Sequence, residues 1–179
     1  MTSARVCAFF ILFTISIPTH SALGQQAGGS PRVRGIDPAA ATLIRDLTVR
    51  SVTGRDLIDQ LERSDLVVYV RRRLFTTTLL TGRIGFVAGD CSRRVVAIEI
   101  ASPRNYVAPL SSLGHERQHA VEIAAAPTAC DAASLAALYS RIGDPVERDA
   151  GRADSFETQA AADTSIRVRR ELFQNAAEN

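Results

Sequence analysis

Apolar positions along this chain alternate between helical spacings of three or four and strand spacings of two, and the switches mark its elements. Asp37-Pro38 opens a helical pattern, with Asp37 placed to cap, Pro38 in the first turn, and Leu43, Ile44 and Leu47 on one face. Thr53-Gly54-Arg55-Asp56 starts a second, whose stripe is Leu57, Ile58 and Leu61. Three runs rich in valine and isoleucine then predict strands at Leu66–Val70, Thr81–Ala88 and Arg94–Ile100, with Gly89-Asp90 among the turn residues between them. The last two predict a hairpin with Cys91 near its tip. Helical spacing returns from Pro109 to Ala126, where Pro127 stops it. Asp131 caps the next pattern, which carries Leu135, Leu138 and Ile142 and ends at Gly143. A polar stretch, Asp144 to Asp154, leads to a last helix over Ser155–Gln174. The order α-α-β-β-β-α-α-α predicts an α+β domain, its helices on one face of a small three-stranded antiparallel sheet.

The N-terminus follows a different rule. Val6 to Ile17 is almost wholly apolar, preceded by Arg5, broken by Pro18 and followed by the small-residue stretch Ala22-Leu23-Gly24. This predicts a secretory signal over residues 1–24, cleaved after Gly24. It is too short for a span of roughly 20 apolar residues. Gln25 to Gly35, rich in Gly, Ser, Pro and Arg, reads as a flexible leader, and 36–179 as a single domain. Loss of Cys7 with the signal leaves Cys91 and Cys130, a pair expected to bridge in an oxidising compartment. The protein is therefore expected to be secreted or periplasmic, without stable membrane insertion after cleavage.

Length and charge narrow the partners. The chain has 179 residues and a formal net charge of +2, from 21 basic residues, all arginine, against 19 acidic ones. Charges of both signs are interleaved, so nothing points to a nucleic-acid partner.

With His20 removed, the remaining histidines are His115 and His119, in His115-Glu116-Arg117-Gln118-His119. On a helix, four residues make about one turn, so both imidazoles leave one face and can share a zinc ion. Glu116 is placed to accept a proton from water as general base. A catalytic zinc needs a third protein ligand. Glu122 and Ala125 exclude the extension that puts glycine at the first place and a third ligand at the second. Glu157 heads a stripe of Ala161, Thr164, Val168 and Leu172 on the packed side of the last helix, where ligation would offset the cost of burying a carboxylate. Its other reading is a capping-box partner of Asp154. Glu122 is placed to support the site through hydrogen bonds. Asp144, Glu147 and Asp149 read as solvated loop charges.

The motif His115-Glu116-x-x-His119 with Glu157 downstream resembles the gluzincin class of zinc metallopeptidases, most closely its minimal single-domain members. The resemblance implies a zincin-like fold, zinc held by His115, His119 and Glu157, and Glu116 as general base. It also implies that a peptide or protein substrate lies along an edge strand beside the active-site helix, here Val95, Val96, Ala97, Ile98, Glu99 and Ile100. The aspartate that often follows the glutamate ligand by four residues is replaced by Ala161. Of Tyr106 and Tyr139, Tyr139 is the oxyanion candidate, with core packing as its other reading. Two alternatives share these residues: a zinc-binding exported protein without turnover, and a zinc hydrolase of a non-peptide amide.

Overall fold

The computed structural model describes residues 30–76, 80–102, 107–146 and 155–177. The signal reading, Tyr106, Glu147, Asp149 and Asp154 lie outside them.

Short-range chemistry sets most of the elements. Helix α1 (Pro38–Arg50) begins where the Asp37 carboxylate accepts from the Ala40 amide at 2.8 Å. Helix α2 (Val52–Glu62) is capped by Ser51, whose hydroxyl accepts from the Gly54 amide at 2.9 Å. Strands β2 (Val67–Arg73), β3 (Gly82–Asp90) and β4 (Arg93–Ala101) follow, and then helices α3 (Val107–Ala124) and α4 (Ala132–Ile142). Asp131 and Ser134 form a reciprocal capping box at the start of α4. The last helix, α5, spans Gln159–Ala177.

The sheet departs from the expected three antiparallel strands. It has four strands in the order β1-β2-β4-β3. The added strand β1 (Val33–Gly35) lies in the segment read as a flexible leader, and it pairs parallel with β2. Strands β2 and β4 are also parallel, and only β3 runs antiparallel, against β4. The hairpin of β3 and β4 is as predicted, but β2 joins its far side. The helix pair α1–α2 supplies the crossover that a parallel β1–β2 pair needs. Strand β4 is therefore internal, flanked by β2 and β3, and its backbone groups are already paired. Val95–Ile100 cannot be the substrate edge; the edge beside α3 is β3.

The inner face of the sheet presents Val68, Val70, Val96, Ile98 and Ile100, all buried, to Leu43 and Leu47 of α1, Leu110 and Leu113 of α3, and Val168 and Leu172 of α5. Each such side chain contributes about 1.5–3 kcal/mol on burial. Helix α3 has neighbours on almost every side, so Glu116, Arg117 and His119 are buried along with its leucines. Gly114 lets α5 approach, since a Cβ there would lie 2.8 Å from Val168 Cγ2. The C-terminal end of α3 is tied by Arg94 of β4, whose buried guanidinium donates to the carbonyls of Ile123 and Ala126, each at 2.7 Å, and to Asp65 at 2.6 Å. On the opposite face of the sheet Glu99 is buried among Arg71, Arg73 and Arg83.

Candidate metal centre

The five-residue motif sits in the middle of α3, and its two intervening residues hold it there. Arg117 is buried toward α2, 3.5 Å from the Gly54 carbonyl oxygen, and Gln118 accepts from the Thr164 hydroxyl of α5 at 3.3 Å. With those two side chains turned to neighbouring helices, His115 and His119 both face the cleft under β3. Their ring centroids are 4.9 Å apart and the planes nearly perpendicular.

Glu157 reaches the same point from another element. It is not on the last helix, as the spacing suggested, but in a two-residue strand, β6 (Phe156–Glu157), which pairs with β5 (Asp144–Pro145). The cap of α5 is Thr158, whose hydroxyl accepts from the Ala161 amide at 3.2 Å. With that role filled by its neighbour, the Glu157 carboxylate is directed to the histidines. Its Oε1 lies 3.2 Å from His115 Nε2 and 3.5 Å from His119 Nε2. One ligand atom from each residue falls within 4.8 Å of the other two.

These separations test whether a metal fits. A tetrahedral zinc with bonds of roughly 2.0–2.1 Å places its donors roughly 3.3 Å apart. The two His–Glu distances bracket that value, and two imidazoles with one carboxylate are a donor set suited to zinc. The residues present fit the ion.

The electrostatics follow from proximity. Burial alone would raise the pKa of Glu157, but the hydrogen bonds from His115 and His119 outweigh it and hold the carboxyl far below its usual range. Burial disfavours the charged form of His119. The carboxylates of Glu122 and Glu157 outweigh that penalty and raise its pKa to about 9. Glu122, expected to support the site, does so directly: its Oε2 is 2.9 Å from His119 Nδ1, and its Oε1 accepts from the Thr158 hydroxyl at 2.8 Å. A carboxylate on Nδ1 fixes a proton there, so that Nε2 is the nitrogen that would give up its proton to a metal.

Glu116 is 4% exposed and lies against the edge strand at Gly82. A Cβ at Gly82 would stand 2.7 Å from Glu116 Oε1, so the absence of a side chain there is what admits the carboxylate. Period-two spacing marks Gly82 only as a strand position, and nothing local signals the contact.

Tyr139, the oxyanion candidate with core packing as its other reading, is engaged by the motif helix in this structure. Its hydroxyl is buried and donates to the His119 main-chain oxygen at 3.0 Å, while its ring meets the His119 ring edge-on at 5.3 Å. Burial, with Glu122 next, pushes its pKa far above the ordinary phenol value, so it remains a neutral brace behind the second histidine. Cys91 and Cys130 are joined as expected, linking the β3–β4 turn to the segment before α4.

The centre opens into a cleft of about 330 Å³ between β3, α4 and β6. Among the described residues, no helix is long and apolar enough to cross a membrane. No known protein family, curated protein or solved structure matches the chain.

Proposed function

We propose that this protein is an exported, secreted or periplasmic, zinc-dependent metallopeptidase of gluzincin type with a minimal zincin-like fold. The convergence of His115 and His119 from α3 with Glu157 from a different element, the two His–Glu separations close to those of a tetrahedral site and all three donors within 4.8 Å of one another, carries this reading. Glu116, next to the first histidine and against the cleft wall, supports turnover over a purely structural site. The Cys91–Cys130 bridge supports an oxidising compartment.

His115 Nε2, His119 Nε2 and a Glu157 carboxylate oxygen would hold the ion. When bound, zinc supplies Lewis acidity, acidifying water and polarising the scissile carbonyl. The Glu116 carboxylate takes the proton from the attacking water and returns it to the leaving amine nitrogen. Glu122 keeps the His119 proton on Nδ1 throughout. The edge strand β3 receives the substrate backbone by strand pairing, in the place first assigned to β4.

The test is the zinc content of the purified protein after equilibration with trace zinc, beside Glu157→Ala and Glu116→Gln. About one zinc per chain in the wild type and in Glu116→Gln, its loss in Glu157→Ala, and peptide cleavage by the wild type alone are the expected results. Zinc retained by Glu157→Ala overturns the ligand assignment. Stoichiometric zinc without cleavage of any peptide or amide leaves a zinc-binding protein without turnover.

A further inference from the structure

The cleft beyond the metal centre has a composition that selects its occupant. One wall is the inward face of β3, where Gly82, Ile84 and Phe86 follow one another at strand spacing from the centre outward. The other is α4, where Leu135, Ala136 and Ala132 succeed Tyr139 in the same outward direction. Both walls run into the same covalent link. Strand β3 ends at Asp90 beside Cys91, and α4 begins at Ala132, two residues after Cys130. The trough therefore leads from the metal centre to the disulfide, with alkyl and aromatic carbon on both sides. Ile84, Phe86 and Leu135 are only partly covered, so their carbon remains accessible within it.

Charge gives an independent constraint. The acidic groups lining the cleft, Glu116 and Glu157, both lie at its metal-centre end. Among the described lining residues the one guanidinium, Arg83, is bonded through Nε to Glu99 at 2.5 Å, which is part of the arginine cluster on the opposite face of the sheet. Away from the metal centre, nothing described in the trough offers a counter-charge to an acidic side chain.

From these observations we propose that the trough is a specificity pocket for a bulky apolar side chain, leucine or phenylalanine, next to the scissile bond. This rests on the peptidase reading above. Its size is set by the covalent tie between the two walls: with Cys91 and Cys130 joined, α4 cannot swing away from β3. Alanine at 132 and 136 leaves the volume that larger residues on that helix face would fill.

The experiment uses acetylated and amidated hexapeptides that differ at one central position: Leu, Phe, Gly or Asp. Binding is measured by titration calorimetry to the full-length zinc-loaded Glu116→Gln protein, and cleavage is measured with the wild type. Leu and Phe peptides are expected to bind, and to be cleaved, at least about tenfold better than Gly, and better still than Asp. Ala136→Arg, an exposed helical substitution that leaves folding intact, is expected to lower the Leu preference and raise Asp binding. Equal binding of all four peptides, binding of none, or an unchanged ranking in Ala136→Arg overturns the pocket assignment. Selective binding of the Leu and Phe peptides without cleavage by the wild type upholds the pocket and overturns the peptidase reading instead.

Discussion

Glu122 Oε2 lies 2.9 Å from His119 Nδ1, and the other oxygen of the same carboxylate accepts from the Thr158 hydroxyl at 2.8 Å. One side chain thus braces the second histidine of the motif and the residue next to Glu157. Glu122 lies on the motif helix itself and orients the second histidine, His119. Removing it is predicted to weaken zinc binding about 10–100-fold without abolishing it. Competition against a chromophoric chelator with Glu122→Gln and Glu122→Ala measures this, and unchanged affinity in both variants rules the brace out.

Gly82 is predicted to be indispensable for a reason unrelated to backbone conformation. Gly82→Ala puts a methyl carbon 2.7 Å from Glu116 Oε1, so the carboxylate must move. The crowding costs about 1–3 kcal/mol of stability, and the misplaced base costs about 100-fold in turnover. Zinc stoichiometry stays at the wild-type value. Shortening the base in a Gly82→Ala/Glu116→Asp double variant recovers the stability. If the double variant is less stable than Gly82→Ala, the two positions are not in steric conflict.

The Cys91–Cys130 bridge closes a loop with a sequence separation of 39 residues. Replacing both cysteines by serine is predicted to lower stability by about 4 kcal/mol through the entropy of the unfolded chain. The cleft lies between the two elements that the bridge joins, so selectivity among peptide side chains broadens as well. Denaturant unfolding, together with cleavage of a peptide set, measures both effects. Unaltered selectivity with lowered stability confines the bridge to a role in folding.

Acid is predicted to loosen the sheet through Glu99. Burial raises the pKa of this carboxyl, but hydrogen bonds from Arg73, Arg71 and Arg83 outweigh it and hold the group below its ordinary value of 4.5. Because the folded pKa is depressed, the stabilisation is fully present above about pH 4.5 and is lost as pH falls through the folded value. Asp65 follows the same sign, held down chiefly by its hydrogen bond with Arg94. Glu99→Gln should cost about 1–3 kcal/mol at pH 7, the cost of removing one partner from a buried set. The gap should shrink at pH 3. Thermal unfolding that shows an equal difference at both pH values contradicts this.

Much of the site was legible in the chain because its signals are local. The H-E-x-x-H spacing places two imidazoles on one helical face whatever surrounds them, since helical rise and turn per residue are set by the backbone. Asp37 and Asp131 announce their helices because a cap involves only the next three residues. The β3–β4 hairpin follows from two short apolar runs and the turn between them. Glu157 stood out as a carboxylate preceding an apolar stripe, although it belongs to β6 and not to the helix.

What the tertiary structure alone decided involves partners far apart in sequence. Period two identifies strands but not their neighbours, so it could not show that β2 passes to the far side of the hairpin, making β4 internal and β3 the edge. The three-residue β1 has no signal of its own; it exists because β2 offers a free edge and Val33 a buried place beneath the helices. The sequence favoured core packing for Tyr139 but could not name its partner, the His119 carbonyl, which its hydroxyl meets twenty residues away. By itself the sequence determined the caps at Asp37 and Asp131, the hairpin and the placing of His115 and His119 on one helical face, because hydrogen bonds and side-chain directions within one turn depend only on nearby residues. Strand order, the wall of the cleft and the bracing of the histidines were left to packing, which depends on what the whole chain brings alongside.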